Sequence, residues 1–156
     1  MDQMTETEFE SFMGISMKDH IRSQILAGNW TEENGPKNME LLRLELLPCG
    51  LNSRDHFFYS IKDETGRIAG GLWFMVQSSG DKRFIYVVDI QVFKEFRRRG
   101  YASQAFMFME EKAREMGIER IYLNVFEHNV TARWMYEKLG YIGKSDLMVK
   151  QIRSPV

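Results

Sequence analysis

The chain has 156 residues, 44% of them hydrophobic, and a formal net charge of -1. That composition suits one globular domain spanning 1–156 and argues against disorder, and the near-zero charge gives no global attraction to nucleic acid or an anionic membrane. No apolar run approaches the roughly 18 residues that span a bilayer, and the acidic start "MDQMTETEFE" lacks the order of a secretory leader. A lone Cys49 and three scattered histidines give neither a disulfide nor metal-ligand spacing, so a cytoplasmic protein without structural metal is expected.

In chain order, the first predicted element is a helix from residue 5 to about 28. Thr5 and Glu8 fit a capping box, Gly28 suits its end, and Phe9, Phe12, Met13, Met17, Ile21 and Ile25 recur at helical spacing. Pro36 suits the first turn of a second helix whose stripe is Met39, Leu42 and Leu46. A strand ahead of the first helix is barely visible. The period then changes: "HFFYSIKD" and "GRIAGGLWFMVQS", joined through "ETG", read as a hairpin. "FIYVVDIQVF" follows as a further strand, and its apolar run predicts burial on both faces. A helix from about Gly100 to Met116 comes next, with Ala105, Phe106, Met109 and Ala113 on one side. "ERIYLNVF" is a strand, 129–139 a short helix, and "YIGKSDLMVKQI" a closing strand or hairpin. This order implies a mixed α/β sheet with helices on both faces, with the strands on either side of the 100–116 helix parallel.

The stretch "FKEFRRRGYASQAF" joins a strand to a helix through Arg97, Arg98, Arg99 and Gly100. A helix start presents free N–H groups and partial positive charge, which suits a phosphate-bearing ligand. Gly100 lets a ligand approach the backbone, and Ala102 and Ser103 do not block the adjacent amides. The P-loop and dinucleotide fingerprints are both missing. Taken alone, a basic tripeptide is usually a solvated face.

The R-x-x-G-x-A arrangement of Arg97, Gly100 and Ala102 resembles the Q/R-x-x-G-x-G/A pattern of the GNAT superfamily of acetyl-CoA-dependent N-acyltransferases. Downstream, "LNVFEHNVTARWMYEKLGYI" is similar to that family's second pattern at Asn129, Ala132, Tyr136, Gly140 and Tyr141. The likeness runs from Phe84 to about Met148. It implies a mixed α/β (α+β), mostly antiparallel GNAT-like sheet with a splayed parallel strand pair, and acetyl-CoA as co-substrate. By resemblance, Ile90, Gln91 and Val92 offer backbone groups to the pantetheine arm, with a bulge near Val92 opening the splay. The amides of Arg98 to Ser103, including Tyr101, wrap the pyrophosphate. The arginines add charge, and Asn129 both caps its helix and contacts the cofactor. Tyr136 gives a proton to the departing thiolate.

Several members of the family carry a glutamate five residues before the motif asparagine, and here that position is Asn124, which cannot accept a proton from an ammonium. Asp89, the carboxylate inside the apolar strand, is the substitute base, with a structural carboxylate as its blander reading. Glu127, His128 and a water relay remain open. Trp73, Phe74 and Trp30 are core residues or acceptor-pocket walls. The resemblance implies direct transfer in a ternary complex to a small-molecule or peptide amine, and it adds a homodimer as an expectation. A coenzyme A-binding sensor without catalysis is the alternative. Nucleic-acid and membrane partners are not expected.

Overall fold

The computed structural model describes residues 1–143 and 146–153. Its elements run β1 (Asp2–Gln3), α1 (Glu6–Leu26), α2 (Gly35–Leu46), β2 (His56–Lys62), β3 (Ile68–Ser79), β4 (Lys82–Val92), α3 (Tyr101–Glu115), β5 (Arg120–Asn124), α4 (Val130–Lys138) and β6 (Leu147–Gln151). The six strands form one sheet in sequence order. Every pairing is antiparallel except β4 with β5, where Ile85, Tyr86 and Val87 lie opposite Ile121, Tyr122 and Leu123. Where a closing strand or hairpin is expected, Ile142 is bridged antiparallel to Val149; Lys144 and Ser145 lie outside the described residues.

Helix α1 starts where the capping box predicts. The Thr5 side chain accepts from the Glu8 N–H, and the Glu8 carboxylate accepts in return from the Thr5 N–H. Its apolar face packs Phe9, Phe12 and Met13 on Phe58 and Trp73 of the sheet. On the opposite face α3 buries Ala105, Phe106, Met109 and Ala113 against Leu72, Phe74, Ile85, Ile121 and Leu123. Two cores, one per face, therefore hold the sheet. In α2, Met39 is buried while Leu42 and Leu46 are only half-buried.

Strand β4 differs from expectation in two respects. Only one of its faces is covered along its whole length: Ile85 and Val87 are buried under α3, whereas Phe84 and Tyr86 on the other face stay partly exposed because α1 does not reach them. Its bulge also lies earlier than Val92. Trp73 pairs with Asp89 and Phe74 with Val87, which leaves Val88 as the extra residue. The parallel pairing to β5 stops at Val87. The bulge thus sits where the two parallel strands part company.

Candidate active site

Beyond Val87, residues 89–92 of β4 remain paired to β3, and none of residues 88–92 has a partner on β5. β5 turns instead to β6, and the Val125 N–H donates to the Asp146 carbonyl oxygen. One side of the β4 backbone is thereby left open between two strands, able to pair with an extended chain from outside. Ile90, Gln91 and Val92 all lie on this segment.

The chain leaves β4 through a single 3-10 turn at Lys94–Phe96 and reaches α3 at Tyr101. Gly100 caps α3 at φ +83° with no side-chain cap, and Arg98 adopts φ +61° although it is not a glycine. Both positions are left-handed, a costly conformation for Arg98 that curls successive amides toward one side. From Arg98 through Ser103, no backbone N–H finds an acceptor among the described residues; the first that does is that of Gln104, to the Gly100 carbonyl oxygen. A run of unaccepted amides at a helix start is an anion cradle.

The arginines divide their work. Arg97 folds back, donating from Nε to the Val92 carbonyl oxygen at 3.0 Å, so it anchors the loop to the strand end. Arg99 lies over the Phe96 ring at 5.9 Å and lines a cleft of about 310 Å³ with Lys62, Tyr101 and Gln104. Arg98 is exposed.

Tyr136 projects from α4, which Asn129 caps by accepting from the Ala132 N–H. Its ring packs edge-on against Phe106 and Tyr141. Burial, aided by the charge of Asp89, pushes its phenol up to about 12, so it holds its proton throughout the ordinary pH range. Its hydroxyl makes no hydrogen bond among the described residues, leaving a donor for a ligand.

Asp89 faces α1. Gln91 Nε2 donates both to Asp89 Oδ2 (3.0 Å) and to the Phe12 carbonyl oxygen (3.2 Å), which ties the strand to the helix. Burial raises the Asp89 carboxyl above its usual range; the hydrogen bonds of Gln91 and Ser16 oppose this, and the charge of Asp19 reinforces it. His20 lies one turn beyond Ser16, close enough to sense the Asp89 charge, and burial lowers its pKa despite that charge. Its Nε2 sits 3.2 Å from Gln24 Nε2, and its ring lies beside those of Trp30 (5.5 Å) and Phe126 (6.3 Å).

This cluster escaped sequence reasoning, although its trace is there. From Phe12 the α1 stripe continues at steps of four through Ser16, His20 and Gln24, turning polar where the helix passes Asp89. Asn124, by contrast, is exposed and donates to the Tyr86 hydroxyl at 2.7 Å. Tyr86 belongs to a groove of about 720 Å³ on the uncovered face of β4 and β5, lined also by Phe84, Tyr122 and Leu147. Glu127 and His128 are exposed, with His128 stacked on Phe126. Trp73 and Phe74 are core residues. Among the described residues no three His, Cys, Asp or Glu side chains gather to hold a metal ion, and no helix is long and apolar enough to cross a membrane.

Comparison with known proteins decides what this geometry belongs to. The profile of the Acetyltransferase (GNAT) family matches residues 22–141. The chain belongs to the GNAT acetyltransferase family. It is 34% identical over 152 residues to the uncharacterized N-acetyltransferase YdgE of Bacillus subtilis, covering 97% of each chain. To YycN of the same organism it is 31% identical over 149 residues, covering 96% of each, and the crystal structure of YycN superposes with a TM-score of 0.82 over 92% of each chain. The spermidine N-acetyltransferase of Vibrio cholerae, solved with coenzyme A and spermine, shares the fold (TM-score 0.69, 96% of this chain and 93% of that one) at 13% identity. As a GNAT acetyltransferase the protein is an acyltransferase enzyme. The family's mostly antiparallel sheet with one parallel pair is the sheet observed here.

Proposed function

We propose that this GNAT acetyltransferase moves the acetyl group of acetyl-CoA to a primary amine by direct attack within a ternary complex. The observation that carries the reading is the run of unaccepted amides from Arg98 to Ser103, which opens beside the unpaired side of β4. Such a run suits a pyrophosphate, and an open strand suits an amide-bearing pantetheine arm. When bound, acetyl-CoA supplies an activated acyl carbon and a sulfur leaving group.

The chain's own residues divide the remaining tasks. Ile90, Gln91 and Val92 pair with the arm through their backbones. Arg98 and Arg99 add positive charge near the phosphates, Arg97 holds the loop in place, and Asn129 fixes the start of the helix that carries Tyr136. Tyr136, protonated and without a partner, donates to the sulfur as it leaves. Asp89, whose carboxyl is raised toward the range of a useful base, takes the proton that the amine loses. The amine arrives from the α1 face, along the groove of Phe84, Tyr86 and Tyr122. Direct attack needs no acyl-enzyme, and the Ser16 hydroxyl beside Asp89 serves as a hydrogen-bond donor to that carboxylate.

Calorimetry with acetyl-CoA, followed by thiol release across a panel of amines, tests the reading. Saturable binding and amine-dependent release are expected. A second reading rests on one observation: Asn124 holds the Tyr86 hydroxyl where several family members carry a glutamate. Binding of acetyl-CoA with no release for any amine would favour that reading, a coenzyme A-binding module without catalysis, and absence of binding would remove both.

A further inference from the structure

Where α1 stops short of the sheet, an aromatic face lies open. Tyr86 stands opposite Tyr122 in the parallel pairing of β4 and β5. Phe84, two residues before Tyr86 on the same face, meets the Tyr122 ring edge-on at 5.2 Å. Leu147, paired with Asn124 on β6, lies on the lip of the same groove and is 48% exposed. The open face of a sheet is ordinarily polar, so three rings and a leucine are apolar surface without a cover. The groove measures about 720 Å³, within the range of roughly 300–1,000 Å³ that small-molecule sites occupy.

Cations stand at one end of it. Ile85 pairs with Ile121, so Arg120, one residue earlier, is level with Phe84. Its Nε donates to Gln151 Oε1 at 3.2 Å and its Nη1 reaches the Tyr122 hydroxyl at 3.5 Å, which holds the guanidinium beside the rings. Lys82 lines the same end. Among the described residues neither cation has a carboxylate partner. Arg83 also lines the groove, but it donates to the Met116 carbonyl oxygen at the end of α3. Against these three cations stand the carboxylates of Asp81 and Glu119, which leaves one net positive charge.

Size and charge select the occupant. Three strands about 4.8 Å apart and about five residues long present on the order of 250 Å², well under the roughly 800 Å² per partner of a stable dimer. A cationic ligand meets a surplus of its own sign. A planar ring with one carboxylate matches floor, volume and charge together. We propose that the groove is a second ligand site for a planar aromatic monocarboxylate, with its ring on Phe84, Tyr86 and Tyr122 and its carboxylate on Arg120 and Lys82. Phe84 stands five residues before Asp89 on β4, about 16 Å along an extended strand, which is more than such a molecule spans. The site therefore goes beyond the acetyltransferase reading and does not depend on it. Because the amine of that reading passes the same rings, an occupant here would also limit its entry.

The test is calorimetric titration of the full chain with sodium 2-naphthoate at about pH 7.5, where the carboxylate is ionised, with and without saturating coenzyme A. Saturable binding is expected, changed by no more than about twofold by coenzyme A, because the cofactor's strand segment lies at the other end of β4. The 2-naphthylmethylammonium ion, the same ring with the opposite charge, should fail to compete. Arg120→Gln should weaken binding about tenfold through loss of the charge-assisted bond. Leu147→Asp, at an exposed position, should weaken it about fourfold through like-charge repulsion. Four results overturn the proposal: no saturable binding, equal binding of the ammonium, unchanged affinity in both variants, or displacement by coenzyme A, which would put the ligand in the transfer site. Tighter binding of 2-naphthyl phosphate would overturn the monocarboxylate assignment in favour of a phosphate ligand. If Arg120→Gln does not fold, Leu147→Asp and the ammonium control still decide. Coenzyme A failing to bind would remove the acetyltransferase reading alone, and the naphthoate titration of the unloaded chain would still judge the groove.

Discussion

A Cβ placed on Gly70 would collide with the carbonyl oxygen of Gln91. Strand β3 lies that close to the end of β4, and Gly70 is opposite Val92 in the ladder. The contact is backbone against backbone, so no side chain can rotate away to relieve it. Gly70→Ala should therefore destabilise the protein by about 2–3 kcal/mol, typical of an overpacked core position. Because the displaced segment carries Asp89 to Val92, acetyl-CoA affinity should fall in the fraction that remains folded. Urea unfolding and calorimetry read the two effects, and wild-type stability in the variant would show that the strands can separate freely here.

Gly100 presents the opposite case. Nothing lies within 4 Å of where its Cβ would be, yet its φ is +83°. The cost of a side chain there is conformational, about 1–2 kcal/mol of left-handed strain. Gly100→Val should relieve that strain by rotating the amides of the Arg98–Ser103 run out of their common direction. About a tenfold loss of acetyl-CoA affinity is expected, with α3 intact by circular dichroism. Arg97→Ala should cost less affinity than Arg98→Ala relative to its effect on melting temperature, because Arg97 is engaged with the Val92 carbonyl. Undiminished affinity in Gly100→Val would show that the loop amides do not hold the cofactor.

Much of this was legible because local chemistry and the tertiary role agree. Thr5 and Glu8 cap α1 in the sequence and in the fold alike, and the R-x-x-G-x-A pattern marks the left-handed entry to α3. The bulge was not legible at its true place. An extra residue in "YVVD" changes no composition, and Val88 finds apolar company on the α1 face, so only pairing to Trp73 and Phe74 reveals it. Strand β1 is two residues long and carries no period. The uncovered face of β4 was hidden because Phe84 and Tyr86 are as aromatic as a buried pair; what leaves them partly exposed is the reach of α1. The polar column on α1 was masked by the more numerous apolar residues of the same helix, and its meaning required Asp89 opposite.

Stability should fall on acidification below the usual imidazole range. His56 Nδ1 accepts from the Trp73 indole N–H at 3.0 Å, and burial lowers the pKa of both His56 and His20 below 6.5. A group whose folded pKa is depressed contributes fully above its unfolded pKa, and that contribution is lost as pH falls through the folded value. Asp89 has the reverse sign: its raised carboxyl favours the fold most at low pH and loses that contribution as pH rises through the folded value. Two histidines of one sign act against one carboxyl of the other, so the urea midpoint should be lower at about pH 5.5 than at about pH 7.5. His56→Gln should flatten the difference. Coincident midpoints in the wild type would contradict the assignment.

Tyr136→Phe separates chemistry from binding. The phenylalanine keeps the edge-on contacts with Phe106 and Tyr141, so the fold and the helix that carries it should persist. What disappears is the hydroxyl, held protonated by burial with a pKa pushed up to about 12. Turnover should fall by about 10²-fold, the scale of losing one general acid, while acetyl-CoA affinity changes by no more than about twofold. No basic limb belonging to Tyr136 should appear in the wild-type rate profile below about pH 10, because the phenol remains a donor throughout that range. The loss in the variant should be smallest for thioesters whose thiol is most acidic, since a better leaving group needs the proton least. Equal losses in turnover and in affinity would make Tyr136 a binding residue, and an unchanged rate would assign the leaving thiolate's proton to another donor.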